Sequence, residues 1–340
     1  MKKIKYFQIV FCIYLFTFLA SCSTTEKRVE TEKVNFAIIT DSLYTRMPGT
    51  LLISDNYLIW EDPFSFDKFM NIIDLKERKD VGSIGVIGQG PEEFNTPVIS
   101  GTYDNRIFVF DLNTKHQAFY SLDSFNNKQN PYSRYIDNQQ QRITNKINIA
   151  KGQFVVLQPA ESNIFKFISE TDSIEFGSSI LASNNPSNMY DINQGIIRYN
   201  VKENKLVFAS FLFPFIEVFS INSNIVTPVF RSQISTNLFS KAGNEIKVDA
   251  SRSGCMDMSL TQDYIVTIQR DYEKDKTDES TVGMDFSKLP KTLFLYDYKG
   301  NLKKIVDVGI PIFRVAGCIQ NNTAYAIGVN PDFTIIEIEL

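Results

Sequence analysis

The sequence predicts an all-β chain folded as six repeated sheets arranged in a ring. Three observations carry this. Phe (28) and Tyr (15) are abundant among the 340 residues while Ala-, Leu- and Glu-rich helical stretches are scarce, and aromatic side chains suit a pleated, half-buried surface. A polar turn followed by an alternating apolar strand recurs in six places. A second apolar strand then follows each of these at a broadly regular offset.

The turns are Asp55-Asn56, Asp104-Asn105, Lys151-Gly152, Glu203-Asn204, Gln262-Asp263 and Asn321-Asn322, about 47 to 59 residues apart. That spacing suits a four-stranded propeller blade with its loops. The strands that follow include Tyr57-Leu58-Ile59-Trp60, Arg106-Ile107-Phe108-Val109 and Lys205-Leu206-Val207-Phe208. Second strands such as Ile164-Phe165-Lys166-Phe167-Ile168 and Leu293-Phe294-Leu295-Tyr296 are apolar on both faces, as expected for strands covered by neighbours on each side. The last unit runs out at Leu340 after three strands, and residues 34–40 form a strand with no unit of its own. A six-bladed β-propeller closed by this N-terminal strand joining the last blade removes both exposed edges. The rival is a sandwich or a two-domain β protein.

The junction between the first two units has its own signature: Gly85, Gly88, Gly90, Pro91, Glu93 and Phe94. Glycines that accept positive φ, followed by a proline that fixes φ near −65°, suit a tight turn. Phe94 is placed to plug the gap between packed sheets. Phosphate binding is a poor reading of these glycines, because no Lys-Ser/Thr and no helix follows and two acids do. The stretch resembles NHL-type propeller repeats, and in particular the six-bladed TolB-like propeller lipoproteins of Bacteroidetes, which carry Gly-x-x-Gly-x-Gly-Pro-x-Glu-Phe at this point. The sharp match covers about thirty residues. It implies the fold, a cell-envelope location and a backbone-capping role for Glu93; it implies no catalytic residues.

Residues 1–21 read as a targeting segment. Lys2, Lys3 and Lys5 precede an apolar run from Tyr6 to Ala20, too short for a comfortable membrane span. It ends in Leu19-Ala20-Ser21-Cys22, which resembles the lipobox of bacterial lipoproteins, with Cys22 as the lipidated residue. Residues 22–33 are then a polar tether and 34–340 the propeller. The expected location is the cell envelope, as an outer-membrane lipoprotein facing either the periplasm or the surface. Net charge is −4 and becomes more acidic once the leader lysines are removed, with no basic run, which argues against nucleic acid as a partner. Cys255 and Cys318 remain, and free thiols are the simpler reading beside a disulfide.

Candidate chemistry is sparse. His116 is the only histidine, in a turn setting that reads as a solvated surface imidazole, so Ser-His-Asp hydrolysis and multi-histidine metal sites lack material. No resident metal or cofactor is expected. Calcium is the one ion the residue types would allow, through Asp104, Asp257 and Asn321 on inner strands. An insertion from Asp271 to Lys291 in the fifth unit reads as a solvated hairpin, and residues 237–241 as helical. The candidate funnel residues are Tyr103, Asn148, Arg198, Arg252, Asp257 and Arg314, with blade-to-blade hydrogen bonding as their alternative role. The expected function is a binding or scaffold module for a protein, peptide or glycan. The alternative is a propeller enzyme, a calcium-dependent hydrolase or lyase working in the central channel.

Overall fold

The protein was analysed as a computed structural model, which describes residues 29–136, 145–181, 186–249, 254–276 and 285–340. Cys22, Arg252 and most of the tether therefore lie outside the described residues.

Strand β1 is Thr31–Lys33 and β2 is Phe36–Thr40. Blade one holds β3 to β6 (Leu51–Ser54, Tyr57–Glu61, Lys68–Asp74, Lys79–Ile87), edged by the short β7 (Glu93–Phe94). Blade two holds β8 to β11 (Pro97–Tyr103, Arg106–Asp111, Gln117–Ser121, Tyr132–Tyr135), with helix α1 at Leu122–Asn126. Blade three is β12 to β15 (Asn145–Ala150, Gln153–Leu157, Asn163–Ile168, Ser173–Ser178). A short helix α2 (Met189–Ile192) leads to blade four, β16 to β19 (Gly195–Asn200, Lys205–Ser210, Ile216–Asn222, Ile225–Arg231). A side hairpin, β20 and β21 (Phe239–Ala242, Glu245–Val248), precedes blade five, β22 to β25 (Asp257–Leu260, Ile265–Ile268, Thr292–Tyr296, Leu302–Asp307). Blade six is β26 to β28 (Ile312–Gly317, Thr323–Val329, Phe333–Glu339).

Its outer strand is β2, which pairs antiparallel with β28 through Phe36↔Ile338 and Ile38↔Ile336. The ring is closed by its N-terminal strand, as the sequence predicts. The tether ends sooner than expected: Thr31–Lys33 pair in parallel with β25 and add a fifth strand to blade five. Of residues 237–241 only Asn237 and Leu238 are helical. One 3-10 turn (Thr236–Leu238) runs straight into β20.

The turn chemistry explains the repeat. Asp104 and Asn105 sit at φ 52° and 53°, Asp55 and Asn204 at 50°, and Gly152 at 66°. Two-residue hairpin turns of this hand need positive φ, which Asn, Asp and Gly tolerate best. The core lies between blades rather than in one place, because each doubly apolar strand is covered by two neighbouring sheets. Between blades one and two, Phe94 is fully buried. It meets Phe69 edge-on at 5.7 Å and stacks on His116 at 4.4 Å.

His116 is thus not a solvated imidazole. Its ring nitrogens lie 3.1 Å from Glu93 O and 2.8 Å from Tyr132 Oη, and it serves as a packed tie across the junction. Glu93 caps the turn, accepting the Gly90 amide at 2.7 Å, and a Cβ on Gly88 or Gly90 would collide with its carboxylate. Residues 277–284 of the fifth-unit insertion lie outside the described residues. In the rest, Glu273, Lys274 and Lys276 are exposed as expected. Arg270, just before it, binds Asp275 and the Lys288 carbonyl, and Phe286 packs against Phe313 at 5.4 Å and Phe333 at 5.0 Å.

Truncating Phe94 removes a fully buried ring and leaves a cavity between the blades. Phe94→Ala is expected to cost about 3–5 kcal/mol of unfolding free energy, read from urea melts. A cost below about 1 kcal/mol would show that the junction is not held by this plug.

Candidate functional site

The inner strands β3, β8, β12, β16, β22 and β26 surround the axis. Their axial edges have no strand partner, so side chains tie them together. Arg314 Nε donates to Gly49 O at 2.8 Å, joining blade six to blade one. Blades one and two are joined by Thr102 Oγ1 to Ile53 O (3.2 Å) and by the Ile99 amide to Glu61 Oε1 (3.4 Å). Ser100 Oγ reaches Lys146 O, and Asn145 Nδ2 reaches Gly195 O at 3.5 Å. Asn200 Nδ2 donates to Thr261 O at 3.3 Å, and Asp257 Oδ2 accepts the Val315 amide at 2.9 Å. Every junction of the ring carries at least one such bond.

On the side where the inner strands end, all six blades line an axial cavity of about 380 Å³. Tyr103, Asn148 and Arg198 line it, together with Gln320 and Cys318, which the sequence reading missed. Asn148 is buried; its Nδ2 donates to Ala150 O and Gln153 O, while its Oδ1 has no hydrogen-bond partner. Arg198 donates to Ile197 O and lies 3.6 Å from Asp257 Oδ1, with Nε unpartnered. Burial lowers its pKa, and the Asp257 charge opposes that shift.

Two of the expected funnel residues are not on this cavity. Asp257 uses its oxygens on the Met258 and Val315 amides, and Arg314 stacks at 4.0 Å on the Phe313 ring while holding Gly49. Both are blade ties. Asp104, Asp257 and Asn321 do not converge on one point: Asp104 is at the cavity, Asp257 is bound as above, and Asn321 Oδ1 accepts the Thr323 amide at 2.9 Å. Among the described residues no three His, Cys, Asp or Glu side chains gather as a metal-binding group. Cys255 and Cys318 are free thiols, the first buried and donating to Asp257 O at 2.9 Å. Burial pushes its pKa well up, so it is held as the thiol.

The sequence reading also missed two buried charges. Lys146 donates to Gln117 Oε1 at 2.7 Å and lies 4.2 Å from the Phe154 ring centroid. Glu61 ends β4 as Asp111 ends β9, and that shared place in consecutive units was the available signal. Asp111 stays low in pKa because four backbone amides outweigh its burial. Glu61 accepts the Thr50 and Ile99 amides but is buried more deeply, and desolvation pushes it from 4.5 to about 7.

A ring of six blades about an axial polar cavity defines a six-bladed β-propeller. The comparisons agree. The chain belongs to the TolB-like 6-blade propeller-like family, whose profile matches residues 27–316. A candidate exported protein of Bacteroides fragilis superposes with a TM-score of 0.53 at 12% identity, covering 92% of this chain and 96% of that one. The calcium-binding protein regucalcin from Agrobacterium tumefaciens gives 0.50 at 7% identity over 91% and 97% of the two chains. The β-propeller domain of Cps50 (Swd1) from Myceliophteria thermophila gives 0.50 at 10% identity over 90% and 99%. At such identities the likeness extends to the fold alone. No curated protein matches the sequence.

Glu61 carries a pH signature. Between about pH 4.5 and pH 7 the folded chain keeps this proton while the unfolded chain releases it, so stability falls as pH rises through that window. Glu217, also raised by burial against the opposing Arg231 charge, acts in the same direction. The melting temperature is expected to fall from about pH 5 to about pH 7, and Glu61→Gln to flatten much of that slope. An unchanged slope in the variant would remove Glu61 as its source.

Proposed function

We propose that this chain is a lipid-anchored binding module of the bacterial cell envelope. In this reading Cys22 carries the lipid and the axial cavity receives a polar segment of a protein, peptide or glycan. The observation that supports it is the cavity itself. Six blades contribute to one opening of about 380 Å³ lined by Tyr103, Asn148 and Arg198 among others. Concave sites with a few convergent polar groups are where proteins of this kind hold ligands. The described residues contain no helix long and apolar enough to cross a membrane. A diacylglyceryl thioether with an added acyl chain would supply stable attachment. The junction motif, which resembles that of envelope propeller lipoproteins, supports the same reading.

Two measurements test this reading. Radiolabelled palmitate should enter the protein expressed in a bacterial host and be lost in Cys22→Ala; equal labelling of both would overturn the anchor. Native mass spectrometry of the soluble chain mixed with a random hexapeptide pool and an envelope glycan digest should show adducts. Those adducts should fall at least about ten-fold in Tyr103→Ala and Arg198→Gln. Arg198→Gln leaves Asp257 without its partner charge, so Tyr103→Ala is the variant to interpret if the other is unstable. Adducts indifferent to Tyr103 would place binding elsewhere.

A further inference from the structure

A second cavity, of about 520 Å³, opens between the loop that follows β2 and the outer half of blade one. Its walls are mostly polar, with Asp62, Asp67, Lys68, Asn71 and Asp80, and include the apolar Leu43, Trp60 and Ile73. Two aromatic rings stand bare beside it. Tyr44 lines the cavity and is 96% exposed; Phe66 is 103% exposed and lies between Ser65 and Asp67, which both line it. Phe64, in the same loop, is 43% exposed, with the Arg46 guanidinium 5.5 Å from its ring centroid. One exposed apolar side chain needs no explanation. A bare tyrosine on the wall of a polar cleft, beside a loop that exposes Phe64 and Phe66, does.

We propose that this cleft binds a neutral oligosaccharide. A pyranose ring has apolar C–H faces that cover an aromatic ring, and edge hydroxyls that both donate and accept. The cleft offers that pair of surfaces: the bare Tyr44 ring with Phe66 on the adjoining loop, and carboxylates, a lysine and an amide within. Asn71 accepts Ser83 Oγ at 2.8 Å through Oδ1, which leaves its amide N–H groups as donors.

The charges argue against other ligand classes. An anionic ligand would face Asp62, Asp67 and Asp80 with only Lys68 in opposition. A metal ion would find two of the three acids already engaged. Asp62 Oδ1 accepts Thr45 Oγ1 and the Phe64 amide, Asp80 Oδ1 accepts the Gly82 amide, and no metal-binding group occurs among the described residues. An apolar helix would have to desolvate the acidic wall. The cleft is separate from the axial cavity and shares no lining residue with it.

The test is calorimetric titration of the soluble chain with cellohexaose, xylohexaose, mannohexaose and chitohexaose. At least one should bind, Tyr44→Ala and Phe66→Ala should each weaken it by about ten-fold or more, and the double variant should abolish it. Both rings are exposed, so the melting temperature should stay unchanged and a folding defect should not confuse the result. Tyr103→Ala, on the axial cavity, should leave this binding intact. Three results would overturn the proposal: no hexasaccharide binds, the double variant binds as well as the parent, or Tyr103→Ala removes the binding. If the aromatic rim instead retains a protein from envelope extract while no sugar binds, it is a protein-docking face and the sugar assignment is wrong.

Discussion

The inner edge of each blade is a strand edge facing the axis, and its backbone groups have no ladder to complete. An unpaired buried backbone group costs about as much as a lost hydrogen bond. The ring meets this constraint with side chains. Glu61, Ser100, Thr102, Asn145, Asn200, Asp257 and Arg314 each reach the backbone of an adjoining blade. The polar residues buried near the axis are therefore mostly architectural, and the axial cavity is what remains where the inner strands end. Its lining mixes residues held in these ties with residues such as Tyr103 that take no part in them.

The same constraint explains what was legible in the sequence. The repeat could be read because turns between paired strands demand positive φ, and Asp55, Asp104, Asn105, Gly152 and Asn204 advertise that demand directly. The closing strand could be read because a three-stranded final unit and an orphan N-terminal strand complete each other. The Gly85 to Phe94 motif could be read because each member answers a steric need visible in its type. Glycines leave room for the Glu93 carboxylate, and Phe94 fills the gap between blades.

The candidate site was less legible. An Arg on an inner strand can point along a blade junction or toward the cavity, and its residue type says nothing about which. Arg198 lines the cavity while Arg314 serves as a tie, although both sit on inner strands. His116 misled because a polar turn setting does not show that Phe94, distant in sequence, will stack on the ring. In the Asp271 to Lys291 insertion the charged residues Glu273, Lys274 and Lys276 are exposed as their type suggests, whereas Phe286 finds aromatic partners that only the fold supplies. Local patterns report local needs; contacts between blades are set by the ring.

The short β1 strand has a mechanical consequence. Tension applied from the N-terminus reaches the three residue pairs between β1 and β25 before it reaches the seam between β2 and β28. Thr31 adds a side-chain bond to Asp271 at 2.8 Å. The clasp on blade five thus works as a strain relief. A pull along the chain peels a short accessory strand first, and the strand that completes the ring stays unloaded until that clasp has opened.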